Sequence, residues 1–391
     1  MRIFGSTKSK EKLVAVFNVG SSSIGGEIFL FQDSGIPKIV FSVREIIAPQ
    51  EEINANNFLG LTLKVLDRVA KQVATSPFGA PTEVHCVLSS PWYVSQNRII
   101  KLEKNTPFIF NAKLADSLIQ KEIKLFEEEH VAKYKSTSGG VRIIEFKNIK
   151  TLLNNYEILN PFEKTAKSIE MMVFISMSGE DTLASMESVL FKHFHQREVK
   201  FASFLLASFS VIQSMYINQD NFLIIDIGGE VTDISMAKKN ILRESVSYPI
   251  GINFIVRNIA SSMRCSLDEA KSMFFLYKDG HAEEKIKQKI DPIINIIKSE
   301  WLNRFQSSLS NLSNDISIPA TLFVTIDREY AEFFAEIIKT EQFNQYTLTD
   351  SKFQIIFLTT ETFHGVATFD NDTVRDTCLI IDALYINRFL K

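Results

Sequence analysis

Two short apolar runs, each ending in a cluster of small residues, set the terms on which this chain can fold. In Phe222-Leu-Ile-Ile-Asp226-Ile-Gly228-Gly229-Glu-Val-Thr232-Asp233-Ile-Ser-Met236, four apolar residues run into an aspartate, two glycines follow, and a second apolar run begins. That pattern predicts a buried strand, a tight turn and a returning strand. Glycine at such a turn lets backbone N–H groups approach an anion with no Cβ in the way. The carboxylates at this turn, Asp226 first, suit a Mg²⁺ held through water. The same design recurs about two hundred residues earlier, in Leu13-Val-Ala-Val-Phe17-Asn18-Val19-Gly20-Ser21-Ser22-Ser23-Ile24-Gly25-Gly26-Glu-Ile-Phe-Leu-Phe31. One such hairpin is ordinary. Two predict a pair of related half-domains facing a cleft.

These two stretches resemble the first and second phosphate loops of the actin-like ATPase superfamily, and within it the branch of the cell-division protein FtsA and the pilus-assembly protein PilM. That branch reads roughly Asp-Ile-Gly-Ser-Ser in the first loop and Asp-Ile-Gly-Gly-Gly-Thr-Thr-Asp in the second. Downstream, Tyr248-Pro249-Ile250-Gly251 through Asn258-Ile259-Ala260 is similar to its Pro-Val-Gly-Gly and Asp-Ile-Ala segment, and Ser266-Leu-Asp-Glu269-Ala270-Lys271 to its Glu-Ala-Glu helix. The similarity is most specific over residues 216–280. It implies an α/β, ribonuclease H-like two-half fold with an inserted small α+β domain of SHS2 type. The implied nucleotide contacts are Asn18, Gly20, Ser21, Ser22 and Ser23 from the first loop, Asp226, Gly228, Gly229, Thr232 and Asp233 from the second, and Glu269. Asp226 is the expected metal-facing residue, and ATP with Mg²⁺ the implied cofactor.

The resemblance divides the chain into a first half over 1–82, an inserted interaction domain over 83–178, connecting helices over 179–215, a second half over 216–345 and a return to the first half over 346–391. Spacing agrees at several points. Leu59, Leu63, Leu66, Val69 and Val73 recur every three or four residues and predict a helix over 58–73. Asn111 is a candidate N-cap for a helix over 111–130, and Ser266 for one over 266–278. Strands are expected at 84–88, 141–148, 169–176, 321–326 and 353–358. A closing helix over 375–390 is apolar on most sides, which predicts packing inside a domain. Residues 1–12 carry Arg2, Lys8, Lys10 and Lys12 and read as a basic tail.

Composition narrows the function. The 391 residues are 45% hydrophobic, enough for more than one packed core. A net charge of −3 gives no electrostatic case for nucleic acid. The cysteines Cys86, Cys265 and Cys378 are odd in number, widely spaced and form no metal motif. No apolar run reaches the ~18 residues of a membrane span, and the start is too polar for a signal peptide. The expectation is a cytoplasmic protein at the inner face of the cell membrane, held there by partners, because the amphipathic anchor with which FtsA-like chains usually end is not evident.

The expected nucleotide site departs from the family at each of its elements. Asn18 stands where the family has aspartate, which removes a charge favouring Mg²⁺. Glu230 and Val231 replace glycine and threonine, and Glu230 is expected to set a carboxylate against the phosphates. Two like charges about 4 Å apart cost about 1 kcal/mol in water and about 4 in a partly buried cleft. After Thr321-Leu-Phe-Val-Thr325, where the family has glycines against adenosine, this chain has Ile326-Asp327-Arg328-Glu329. A retained fold with altered loops reads as an adaptor that recruits divisome or pilus-complex partners and self-associates, with ATP binding weak or lost. The alternative is an active ATP-binding actin-like ATPase or an ATP-dependent kinase.

Overall fold

The computed structural model describes residues 12–133, 140–195, 198–312, 317–340, 352–371 and 373–390. The basic stretch 1–11 and the loop 136–139 lie outside the described residues. The chain opens with β1 (Leu13–Val19), β2 (Ser23–Leu30), β3 (Lys38–Ile46), α1 (Ala55–Ala74) and β4 (Glu83–Leu88). Next come β5 (Val94–Phe110), α2 (Ala112–Lys133), β6 (Val141–Leu153), β7 (Tyr156–Glu157) and β8 (Lys164–Gly179). The chain continues through α3 (Glu180–His193), β9 (Lys200–Ser203) and α4 (Phe204–Met215). Then follow β10 (Phe222–Ile227), β11 (Thr232–Lys238), β12 (Ile241–Tyr248), α5 (Ile252–Met263), α6 (Leu267–Lys278) and α7 (Glu284–Leu312). It ends with β13 (Thr321–Ile326), α8 (Ala331–Lys339), β14 (Gln354–Phe357), β15 (Thr368–Phe369) and α9 (Thr377–Phe389).

The two large sheets repeat one topology. The first runs β15-β3-β2-β1-β4-β9 and the second β12-β11-β10-β13-β14. In each, an antiparallel hairpin (β1–β2, β10–β11) leads the sheet and its first strand pairs in parallel with a strand from much later in the chain (β4, β13). β1 and β10 are therefore central, buried on both faces, which is why they read as unbroken apolar runs. Each sheet has its own core. Phe17, Phe29, Leu66, Val69 and the buried side of α9 fill the first, and Ile225, Trp301, Phe305, Val324 and Phe334 the second. In α9, residues from Leu379 to Asn387 are buried, so the helix is seated within the first half as its all-round apolarity predicts. Gly26 is required where α1 crosses β2: a Cβ there would lie 2.6 Å from a Val69 methyl.

The third sheet, β5-β8-β6-β7, carries α2 and a separate core around Phe110, Ile123, Phe126 and Ile175. Asn111 caps α2 by accepting the Leu114 N–H at 2.9 Å. Two boundaries differ from those expected from the sequence. Glu83–Leu88 is β4, paired with β1 inside the first sheet, so the inserted unit begins at β5 and not at 83. β14 pairs with β13 in the second sheet, so the second half takes strand residues from beyond 345. The long strand β5 has no counterpart among the expected elements, because only Ile100 and Phe110 in it are buried and they form no stripe.

The insert is anchored on both halves. Glu145 on β6 is half-buried and accepts hydrogen bonds from the Ser203 N–H (2.8 Å), the Ser203 hydroxyl and the Tyr385 hydroxyl (2.9 Å) of the first half. Asn97 on β5 donates to the carbonyls of Leu242 and Arg243 of the second half, each at 2.8 Å. At its root, Trp92 stacks on Phe58 and donates its indole N–H to the Gly20 carbonyl at 3.0 Å.

Candidate functional site: the cleft between the two glycine turns

Both hairpin turns close in the same way. The Gly20 N–H donates to the Ser23 carbonyl (3.1 Å) and the Gly228 N–H to the Val231 carbonyl (2.9 Å). Asn18 and Asp226 thus hold equivalent places, two residues before the turn. Between the halves lies a cavity of about 290 Å³. Asn18, Gly20, Ser21, Ser22, Ser23, Asp226, Gly228 and Asp233 line it. Gly229, Thr232 and Glu269 do not. Thr232 is buried beneath the turn, donating to the Ile250 carbonyl at 2.6 Å. Glu269 closes a capping box at the start of α6, where its carboxylate accepts the Ser266 N–H (2.8 Å) and hydroxyl (2.9 Å). Its role is that of a helix cap.

Thr325, just before the altered segment, and Arg328 within it also line the cavity, and arginines and hydroxyls that no sequence motif singles out complete the wall: Arg44, Arg375, Ser89, Ser90, Thr359, Thr360 and Thr377. Arg44 on β3 donates to the Ser23 hydroxyl (2.7 Å) and to Asp376 (2.8 Å), the N-cap of α9. The separation of 332 residues between Arg44 and Asp376 leaves no local signal. Arg328, expected to obstruct adenosine, lines the same cavity.

The carboxylates here are held towards their neutral forms. Burial pushes Asp226 up to about 7, Asp233 adds to the rise, and a hydrogen bond from the Thr325 hydroxyl at 2.7 Å opposes it. Burial also raises Asp233 against hydrogen bonds from the Ser247 and Ser90 hydroxyls, and raises Asp327 against the Arg44 charge. Behind the first turn, Asn18 donates its amide to Asp382 of α9 at 2.8 Å. Asp382 and the neighbouring Glu27 are raised well above the carboxylate range by burial. Neither Glu27 oxygen has a hydrogen-bond partner among the described residues.

Glu230 corrects the expectation made for it. Its side chain does not line the cavity. It is 5% exposed and ion-paired bidentately with Arg257 of α5 (3.0 and 2.5 Å), with Asn253 donating at 2.8 Å. The charge is neutralised inside the second half and does not confront the cleft. What occupies the space between the turns is the opposite turn. The Glu230 N–H donates to the Ser21 hydroxyl at 3.1 Å, and a Cβ on Gly229 would lie 2.8 Å from the Ser21 and Ser22 backbone. One backbone N–H of the second turn is thus already bonded to the first. Among the described residues no group of three or more His, Cys, Asp or Glu side chains is placed to hold a metal. Nor is any described helix long and apolar enough to cross a membrane.

No family model and no curated protein matches the chain. Among solved structures it is similar to a chain of the PilM–PilN type IV pilus biogenesis complex, at 13% identity and TM-score 0.58 over 92% of this chain and 90% of that one. A Bacteroides thetaiotaomicron protein of actin-like ATPase fold and unknown function matches at 8% identity and TM-score 0.40, over 90% of this chain and 94% of that one. A putative N-acetylmannosamine kinase from Listeria monocytogenes matches at 12% identity and TM-score 0.38, over 96% and 98%. Together with the doubled sheet topology, the first of these likenesses gives the fold and nothing finer: the chain has the actin-like two-half architecture.

Proposed function

We propose that the chain is an actin-like adaptor of FtsA/PilM type that recruits protein partners at the inner face of the cell membrane, with ATP binding weak or lost. The observation carrying this reading is the pairing of a closed inter-loop gap with an inserted module that leaves its far end open. Tyr156, Phe162 and Ile109 are exposed there, and Leu159 is 92% exposed. Exposed apolar groups in one region are a common mark of partner surfaces. The insert is read as an SHS2-type interaction domain. Pilus assembly is favoured over cell division by the fold likeness to a PilM–PilN chain, which spans the insert as well as both halves. No contact with nucleic acid is proposed, and the membrane is reached through partners.

The test is calorimetric titration of the full chain with synthetic cytoplasmic segments of the membrane proteins encoded beside it. Binding in the low micromolar range, weakened at least tenfold by Leu159→Ser with Phe162→Ser, supports the reading. Absence of binding together with ATP turnover overturns it. Sedimentation of the same samples reports self-association.

One observation favours the alternative of an ATP-dependent enzyme. Asp226 is pushed up to about 7 in a cleft lined with hydroxyls, where a general base works best near neutral pH. Phosphoryl transfer lost in Asp226→Asn would establish it.

A further inference from the structure

We infer that Glu230 is an internal anion that holds Arg257 and the second turn against the first half, so that closure of the two halves is built into the chain. This rests on the adaptor reading only for its biological use. The geometry stands by itself. Two contacts cross between the halves beside this pair, and both are made by the chain's own groups. The anion is the Glu230 carboxylate, clamped by the Arg257 guanidinium and the Asn253 amide. The Glu230 N–H donates to the Ser21 hydroxyl, 209 residues away in the first half. Arg257 reaches the first half as well, donating to the Gln50 carbonyl at 3.4 Å in the segment after β3. Loop 2 cannot recoil to admit a ligand without further loss, because the first N–H groups of α5, Ile252 and Asn253, donate to the Gly228 and Gly229 carbonyls at 2.9 Å each.

Charge and shape agree. A bidentate arginine–carboxylate pair is among the strongest and most directional contacts a protein makes, and here it lies beside the point where the halves touch. A glycine at 230 would supply the N–H but no anion, and Arg257 would then need an anion from outside. The substitution at 230 that reads in the sequence as damage to a phosphate site is, in the fold, an internal anion held by Arg257. The adjoining Gly229 lies too close to Ser21 for a side chain, so the two loops meet backbone to backbone.

Hydrogen exchange of the full chain without nucleotide tests this, because the readout lies in the half that does not contain Glu230. Peptides covering 17–24 and 47–54 are followed, with 169–177 of the insert as an internal reference. In the wild type, exchange at 17–24 is slow and changes less than twofold on adding millimolar Mg-ATP. In Glu230→Ala with Arg257→Met, a pair chosen to leave no unpaired charge, exchange at 17–24 and 47–54 accelerates at least tenfold while 169–177 is unchanged. Ser21→Ala removes only the loop-to-loop hydrogen bond and accelerates 17–24 about fivefold, the equivalent of about 1 kcal/mol. It keeps the test decisive if the double variant does not fold. Wild-type exchange slowed tenfold by Mg-ATP, or 17–24 unmoved in Ser21→Ala and in the double variant, overturns the inference. Neither result bears on partner binding by the insert, so failure here is distinct from failure of the adaptor reading.

Discussion

The two glycine hairpins share a strand pairing, a turn hydrogen bond and a place in their sheets, yet they use their polar groups in opposite directions. In the first, Asn18 gives its amide to a buried carboxyl, Asp382, while three serines stand with it at the cavity wall. In the second, Asp226 keeps its carboxylate at the cavity, while Glu230 turns away to Arg257. The fold needs only what the hairpins have in common: the strand, the glycine and the return. Where they differ decides the chemistry. One hairpin has moved its charge onto a helix behind the sheet. The other has added a charge and neutralised it internally.

Breaking the second hairpin's ion pair gives the largest expected effect. Arg257→Met leaves Glu230 buried without its cation, which costs about 3–5 kcal/mol. The thermal midpoint falls by roughly 6–12 °C, and Glu230→Gln added to Arg257→Met recovers some of the loss. An unchanged midpoint would mean that the pair contributes only surface charge.

The corresponding change in the first hairpin is Asn18→Asp, and it sharpens the contrast. The position looks in the sequence like a lost metal ligand, so restoring aspartate is expected to help a cation bind. In the structure it removes the donor to Asp382 and sets two carboxyls together where burial already raises both Asp382 and Glu27. We expect a loss of about 2–3 kcal/mol at pH 8 and no gain in Mg²⁺ affinity, measured by urea unfolding with and without the cation.

The smallest effect concerns Asp226, the counterpart of Asn18. Its folded value of about 7 lies above the ordinary carboxylate value. The protonated carboxyl therefore contributes stability fully only below about pH 4, and that contribution is lost as pH rises through 7. Asp226→Asn, which keeps an acceptor for Thr325, removes this decline. It should match the wild type near pH 4 and exceed it by about 1–2 kcal/mol at pH 8, after allowance for the solvent that reaches the cleft. A variant less stable than wild type at pH 8 would place a compensating cation on Asp226.

The pattern of these effects also marks how much of the molecule is legible in its sequence. The hairpins, the cap at Ser266 and the seating of α9 follow from local signals: glycine between apolar runs, a serine three residues before a glutamate, apolar groups on every side of a helix. What stays hidden depends on distance or on weak burial. β4 reads as belonging to the insert because a short apolar strand carries no mark of its parallel partner. β5 escapes notice because its alternation is diluted by exposed lysine, asparagine and glutamate. Asn18, Gly20, the three serines, Asp226, Gly228 and Asp233 can be named from their turns, whereas Arg44 needs Asp376 to have a meaning. Glu230 stands out in the sequence as a departure, but its direction is set by Arg257, 27 positions later on a helix.

A cleft closed by its own residues is the central claim, and calorimetric titration of the purified wild-type chain with Mg-ATP tests it most directly. The expected result is no heat of binding up to millimolar nucleotide. Low-micromolar binding would contradict the claim, since a triphosphate would then have to force apart a pair of loops that here bond to one another.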